Sequence, residues 1–448
     1  MTASLALCMI VRDAAESLPA CLESVRGIVD EMVIADTGSQ DATVSIAREA
    51  GARVTAIPWT DDFAAARNSA LAHVRSDWVL SLDADEQLDG NARRQVGPLL
   101  GKTARVGYQV TIRNYMHSLR DRLWDRAATR NDSTLPAASK YPAYVEHQNV
   151  RLFRHSPAIY FIGRVHESVG PSIEQSGQTL GQATFLIHHM GLACDEGTQS
   201  RKNIFYRELG RQKIQDLPGN AQAHFELGLL EMDNFHNIAE AQALFARAHS
   251  LAPQFGLAWF FEALTLVKLQ RYTESLSRLS EAERCGYRSA LVSETRGDAH
   301  YNIGEFAAAR SSYAAARRRD APNPSLRSKF GLAALRTGEE ARGLSEIRLA
   351  LAAGPEQADL HDRLIVALVF TGDLRAAAAA ADAKLRAISP SPRDFLRAAS
   401  LWSKAGDWPR ATETAAEGVR AYPHDSGLEE VAQEIAARAP RETVSTLQ

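Results

Sequence analysis

The sequence predicts an α/β domain built on a mostly parallel, Rossmann-like sheet, followed by an all-α repeat solenoid. Three observations predict it. From Leu5 to Leu82, apolar strand-like runs alternate with helical stretches, the pattern of a parallel sheet covered by crossover helices. Near Leu217 the composition shifts to Ala, Leu, Glu and Arg with almost no strand signal. Beyond that point proline recurs at Pro253, Pro322, Pro355, Pro390 and Pro423, with gaps of 69, 33, 35 and 33, close to multiples of 34. The chain has 448 residues, 45% of them hydrophobic, enough for two or more packed domains.

In order, Leu5–Val11 is a continuous apolar run, as expected of a strand buried on both faces. Glu16–Val25 reads as a helix, Glu31–Asp36 as a strand, Asp41–Ala50 as a helix and Ala52–Ile57 as a strand. A helix over Phe63–Val74 and a strand over Asp77–Leu82 complete the series. Val150–Phe153 and Thr184–His188 read as further strands, and Asn114–His147 as a long irregular insertion. A loop of that length inside a compact domain points to function.

The second half carries small residues at matching repeat positions: Gly228, Ala263, Gly297 and Gly331, and about twelve residues later Ala241, Ser275, Ala309 and Gly343. Small residues at both places let two helices approach closely. A 34-residue period with this spacing is the tetratricopeptide pattern. It predicts about six repeats from Ala221 to Leu428 and a capping helix over Glu429–Ala439. The expected bounds are 1–216 for the α/β domain (114–147 as insertion), 217–440 for the array and 441–448 as a tail. By resemblance to other such arrays, the first helix of each repeat lines the concave face, which puts Phe225, Phe260 and Tyr301 on it.

Ligands in open parallel sheets bind outside the carboxyl ends of the strands, and those ends are polar here. Arg12-Asp13 follow the first strand, Asp36-Thr37-Gly38-Ser39-Gln40-Asp41 close the second, and Asp83-Ala84-Asp85-Glu86 follow the strand ending at Leu82. Clustered carboxylates require a neutralising cation, and hard oxygen donors suit Mg²⁺ or Mn²⁺. A divalent ion bridging the diphosphate of a nucleotide is the expected partner.

Leu7-Cys8-Met9-Ile10-Val11-Arg12-Asp13, Val33–Thr43, Phe63–Asn68 and Leu82–Glu86 resemble, in order, four motifs of the family 2 glycosyltransferases of GT-A fold. The resemblance implies a metal-dependent transferase that inverts the anomeric carbon and takes a nucleotide sugar, a UDP-sugar foremost. It implies nucleotide-sugar contacts from Val11, Arg12, Asp13, Asp36, Arg67, Asn68 and Asp83. Metal ligation falls to Asp83 and Asp85, with His188 or His189 completing the shell. The usual first motif ends Lys-Asn-Glu-Glu, where this chain has Arg12-Asp13-Ala14-Ala15, which alters fine nucleotide recognition. Gly163-Arg164-Val165-His166-Glu167 resembles a segment of a bacterial subgroup that pairs the transferase with tetratricopeptide repeats and includes peptide S-glycosyltransferases. It implies Glu167 as general base, with Glu86 the next candidate, and His166 on the acceptor side. There the 114–147 insertion is expected to form a lid or an acceptor-site wall, with Trp124 placed to stack on a sugar ring or to anchor packing. Arg151 and Arg154 face phosphate or solvent.

A peptide or protein acceptor held by the repeats follows from this layout. The alternatives are a glycan or lipid-linked acceptor with the repeats as a docking module, and a non-catalytic scaffold. The net charge of −3 excludes a whole-chain basic field for nucleic acid, although residues 101–170 carry eleven Lys and Arg against five Asp and Glu. Cys8, Cys21, Cys194 and Cys285 are scattered without a CxxC pair, consistent with a reducing cytoplasm. No run of about 18 apolar residues predicts a membrane span, and the short apolar N-terminus lacks the basic flank of a signal peptide.

Overall fold

The computed structural model describes residues 3–101, 104–118, 122–123, 126–190, 196–320 and 323–439. The chain divides into two compact units, 1–251 and 252–448. The division falls one helix pair later than the composition change near Leu217, so the first repeat packs within the α/β unit. Among the described residues no helix is long and apolar enough to cross a membrane.

The first unit opens with β1 (Leu5–Val11), α1 (Leu18–Ser24), β2 (Glu31–Asp36), α2 (Thr43–Glu49), β3 (Arg53–Ala56), α3 (Phe63–Leu71) and β4 (Trp78–Ser81). These strands form a parallel array in the order β3-β2-β1-β4. Successive side chains of β1 enter different cores, Leu5, Leu7 and Met9 one, and Ala6 and Cys8 the other. That two-sided burial is why the strand reads as an unbroken apolar run. Burial pushes the Cys8 thiol up to about 12, so it behaves as a small apolar residue.

The chain continues through β5 (Glu86–Leu88), α4 (Ala92–Leu100), β6 (Gly107–Met116), β7 (Arg122–Leu123), β8 (Arg126–Ala127), β9 (Thr129–Arg130), β10 (Ala143–Arg154), α5 (Gly170–Gln175) and β11 (Leu180–His189). Here the sheet is mixed. β10 runs antiparallel to both β4 and β6, β11 runs parallel to β6, and β5 antiparallel to β11. The expected irregular segment 114–147 is shorter than its sequence indicates. Its ends belong to β6 and β10, in a register that pairs Asn114 with Val145 and Arg113 with Glu146. The apolar alternation there is broken by polar residues that pair across the strands, Arg113 Nε donating to Glu146 at 2.9 Å and Asn114 contacting His147 at 2.8 Å. Trp124 lies outside the described residues.

Three helices complete this unit, α6 (Glu196–Asp216), α7 (Ala221–Asp233) and α8 (Ile238–Leu251). Among the described residues the second unit is all helical: α9 (Gly256–Lys268), α10 (Tyr272–Arg284), α11 (Ala290–Asn302), α12 (Phe306–Arg317), α13 (Pro324–Arg336), α14 (Glu340–Ala353), α15 (Ala358–Phe370), α16 (Leu374–Ala387), α17 (Pro392–Lys404), α18 (Trp408–Ala421) and α19 (Ser426–Arg438). The second helix of each pair begins at residue 238, 272, 306, 340, 374 or 408, a strict 34-residue step. Within the pairs, a Cβ at Gly331 would stand 2.8 Å from the Gly343 carbonyl, and one at Gly343 2.7 Å from the Gly331 carbonyl. Only glycine permits that approach.

The turn between paired helices repeats a left-handed residue at His236, Gln270, Gly304, Gly338, Gly372 and Gly406. Glycine fills the later four, where that conformation carries no Cβ penalty. Two of the expected concave-face residues are placed otherwise. Phe225 and Phe260 are 3% and 1% exposed, Phe225 packing on Phe245 of α8 and Phe260 on Tyr287 beyond α10. The exposed apolar side chains of a first helix are instead Val366, Val369 and Phe370 on α15.

Candidate active site

The carboxyl ends of β1, β2 and β4 lie side by side, with Val11 in register with Asp36 and Cys8 with Ser81. The loops leaving the first two strands are laced together. The Val11 carbonyl accepts from the Thr37 amide at 3.0 Å and from its hydroxyl at 3.1 Å. Asp13 adopts φ +46, donates its amide to Ser39 Oγ at 3.0 Å and accepts from the Gln40 amide at 2.6 Å. The amides of Ala14 and Ala15 donate to Thr43 Oγ1 and Asp41 Oδ2 at 2.7 and 3.0 Å, so the two alanines that replace the usual acids join the lacing through their backbone. The buried Asp36 carboxylate accepts from the amides of Gly38 and Ser39 at 3.2 Å. Arg12 is exposed, 4.0 Å from Asp13.

Beyond β4 the charges converge. Arg67, on α3 and only 7% exposed in its side chain, donates through Nε to Glu167 Oε1 at 2.5 Å, through Nη1 to Ser81 Oγ at 3.3 Å, and through Nη2 to Asp83 Oδ1. Arg151 of β10 reaches Asp83 Oδ2 at 3.3 Å and Glu86 Oε1 at 2.8 Å. Five side chains thus form one line: Glu167, Arg67, Asp83, Arg151, Glu86. Burial alone would raise the Asp83 carboxyl, but the two guanidiniums override it and hold Asp83 well below the usual carboxylate range. For Glu86 burial wins over Arg151 and pushes the carboxyl up to about 7.

Several expected roles change in consequence. The acidic cluster was expected to need a metal for neutralisation; two arginines already supply positive charge. Asp83 holds those arginines through both oxygens. Glu86 is 1% exposed, with one oxygen on Arg151 and the other on the Asp83 amide at 2.8 Å, so it cannot meet an acceptor as a base. Asn68 donates to the Phe161 carbonyl at 2.9 Å and accepts from the Phe161 amide at 2.8 Å. Both ends of its amide position that backbone.

The two histidines separate because successive strand residues point to opposite faces. His189 Nε2 lies 3.5 Å from Asp85 Oδ2, and its Nδ1 meets Asn114 Oδ1 at 2.8 Å. Burial works against its charged form, yet the hydrogen bond and charge of Asp85, with Glu86 and Asp83 behind it, raise its pKa. His188 turns the other way, stacks on Tyr115 and contacts its hydroxyl at 2.8 Å. It is a core residue and is removed from the ligand set.

Among the described residues no group of three or more His, Cys, Asp or Glu is arranged to hold a metal. The Asp85–His189 pair nonetheless fits a divalent ion. Two ligands each about 2.1 Å from one ion lie roughly 3–4 Å apart, and Mg²⁺ commonly takes one or two protein ligands and fills its shell from phosphate and water.

Glu167 sits at the end of a lap from Gly163, closed at its base by paired bonds between Ile162 and Ser168 of 3.0 and 3.2 Å. Its side chain is 12% exposed. His166 beside it is exposed, at φ +50. Arg151 is the site residue the sequence left undecided. Its position depends on β10 running antiparallel beside β4, with Leu152 opposite Leu80, a non-local pairing without a local signal.

Residues 6–160 match the family described as Glycosyl transferase family 2. The TPR repeat-containing protein Synpcc7942_0270 of Synechococcus elongatus is 34% identical over 232 residues, 50% of this chain and 52% of that protein. SPbeta prophage-derived glycosyltransferase SunS of Bacillus subtilis is 24% identical over 161 residues, 36% of this chain and 33% of SunS. The chain therefore spans about half the length of the first relative and a third of the second. Among solved structures, the APC/C hetero-tetramer Cut9-Hcn1 is 16% identical, with a TM-score of 0.42 over 54% of this chain and 46% of that one. With its four sequence motifs gathered at one edge of the sheet and the family match over the same residues, the N-terminal domain of this chain matches the family 2 glycosyltransferases.

Proposed function

We propose that this chain moves a sugar from a nucleotide-sugar donor, a UDP-sugar foremost, to a peptide or protein acceptor held by its repeats. The observation that carries the reading is the line Glu167–Arg67–Asp83–Arg151 beside the Asp85–His189 pair, all at the carboxyl edge of the sheet. The loops after β1 and β2, with Asp36 and Asp13, take the nucleoside. Arg67 and Arg151 set positive charge where the diphosphate gathers its negative charge. A Mn²⁺ or Mg²⁺ on Asp85 and His189 would neutralise the same leaving group.

Glu167 accepts the proton of the acceptor hydroxyl or thiol. The freed oxygen or sulfur bonds to the anomeric carbon from the face opposite the diphosphate. The bond from that carbon to the phosphate oxygen breaks, its electron pair leaves on the nucleoside diphosphate, and the configuration inverts. His166 stands on the acceptor side. On this reading the transferase spans 1–216, with 114–147 as its acceptor-side insertion, the array spans 217–440, and the protein works in the cytoplasm. The exposed Val366, Val369 and Phe370 on α15 support a protein acceptor, since apolar side chains on a repeat face are suited to polypeptide docking.

The test is UDP release from a panel of UDP-sugars with Mn²⁺, with and without peptide acceptors. Release from one donor, accelerated by a peptide, supports the proposal. Absence of release from every donor, together with absence of a UDP-induced thermal shift, would favour a scaffold with a degenerate transferase domain.

A further inference from the structure

The lap that carries Glu167 is held in part from outside the sheet. Two of its residues, Gly163 at φ +104 and His166 at φ +50, are left-handed, and such a conformation in a non-glycine persists only where its surroundings over-determine it. α6 supplies much of those surroundings. Lys213 is 5% exposed, and its ammonium donates to the Val165 carbonyl at 2.7 Å and to Glu226 Oε2, on α7, at 2.8 Å. A Cβ at Gly163 would lie 3.1 Å from Lys213 Cε and Nζ, so the lysine passes against the lap where only glycine leaves room.

Arg164, the next residue, bonds Asp216 at the end of α6 and lies 4.0 Å from Asp62, the N-cap of α3. Its carbonyl accepts from the Phe63 amide at 2.9 Å. The Tyr206 ring of α6 packs on Phe63 at 6.3 Å, one helical turn before Arg67. Each residue from Gly163 to Val165 is therefore engaged by α6, by the start of α3, or by both.

The mount is itself firm. Glu231 on α7 is 0% exposed and receives Arg207 of α6 through two bonds of 2.5 and 2.9 Å, with Arg211 at 3.5 Å. Gly210 of α6 leaves room for Leu227 of α7, whose Cδ1 would stand 3.1 Å from an added Cβ. Removing one member of such a buried ionic set leaves its partner uncompensated.

We propose that Lys213 is a positioning residue that ties the lap bearing Glu167 to α7, the first helix of the repeat array. The orientation of the catalytic carboxylate then depends on the first repeat as well as on the sheet. Every link lies within the first compact unit. The inference rests on the assignment of Glu167 as the base, and its test separates the two.

The experiment is hydrogen–deuterium exchange by mass spectrometry on the full chain, comparing wild type with Lys213→Met and Glu226→Gln. Lys213→Met should raise exchange across Ile162–Ser168 at least about tenfold while β1 and β4 keep their protection. Glu226→Gln should raise it less, over the same residues. In the transfer assay Lys213→Met should lower kcat about tenfold or more and leave the donor KM within about twofold. Unchanged exchange over Ile162–Ser168 in folded Lys213→Met would overturn the inference, as would an equal rise throughout the unit. Should Lys213→Met fail to fold, Glu226→Gln decides on the same criterion. Unchanged transfer in Glu167→Gln would refute the assignment of Glu167, whereas the exchange result would still decide the positioning role.

Discussion

Replacing Arg67 with Leu removes a cation that touches both Glu167 and Asp83. The side chain is 7% exposed and bonds two carboxylates and the Ser81 hydroxyl. Its loss leaves Glu167, 12% exposed, without its guanidinium, and Asp83 with Arg151 alone. Breaking a buried ion pair from one side costs about 3–5 kcal/mol. For amides that exchange through opening of the whole unit, this corresponds to about 10²- to 10⁴-fold faster exchange. The amides to follow are those of β1 and β4, which run beside the site and are almost completely buried. The penalty should depend on pH with a definite sign. In the wild type Asp83 sits below its ordinary pKa, so its stabilisation is complete above about pH 4 and is lost as pH falls through the folded value. The variant lacks the Arg67 share of that stabilisation, so the gap to wild type should narrow below about pH 4, where the wild type loses it too. The deficit should therefore be larger at pH 5 than at pH 3. A deficit below about 1 kcal/mol, or one equal at both pH values, would refute the view that Arg67 neutralises this buried pair.

Glu167→Gln keeps shape and removes charge; donor affinity should survive while transfer falls about 10²-fold or more in steady-state assays, and unchanged transfer would move the base elsewhere. Gln270 occupies the left-handed turn position that glycine fills in four later repeats, so Gln270→Gly should stabilise the repeat unit by about 1 kcal/mol. Gly338→Ala should destabilise it by a similar amount through its backbone alone, because an added Cβ meets nothing within 4 Å; calorimetric unfolding of both variants checks the pair. Burial, with Arg151 nearby, holds His147 down to about 4. Between pH 6.5 and 4 the unfolded chain takes up a proton that the fold refuses, which removes at most about 3 kcal/mol. His147→Gln should flatten that part of the stability–pH curve, and an unchanged slope would place the acid sensitivity elsewhere.

Where the chemistry sits at the end of a buried strand, it is legible locally. Asp36, Asp83 and Asp85 interrupt apolar runs at their carboxyl ends, and the sheet rule says what such residues face. The repeats are legible because 34-residue spacing survives any choice of surface residues. What local patterns do not carry is the pairing of distant segments. Arg151 reaches Asp83 only because β10 enters the sheet antiparallel to β4, and the choice between His188 and His189 depends on which face of β11 meets β5. Phe225 and Phe260 were misplaced for a related reason. On a helix packed from two sides, an aromatic near the inward-facing turn serves the pair core, and a small angular offset decides between core and open face. The left-handed turn row was visible as Gly304, Gly338, Gly372 and Gly406 at equal spacing, but His236 and Gln270 at the same position conceal it in the first two repeats.

The most direct test of the account is calorimetric titration of UDP into wild type and Asp85→Ala, each in Mn²⁺ and in EDTA. Asp85 faces His189 at 3.5 Å and is not one of the carboxylates bound by Arg67 and Arg151, so its removal should leave the arginine line and the fold in place. The account predicts that Mn²⁺ tightens UDP binding by wild type about tenfold or more, and that the ratio falls to near one in Asp85→Ala while affinity in EDTA is unchanged. The same Mn²⁺ enhancement in both proteins would contradict it.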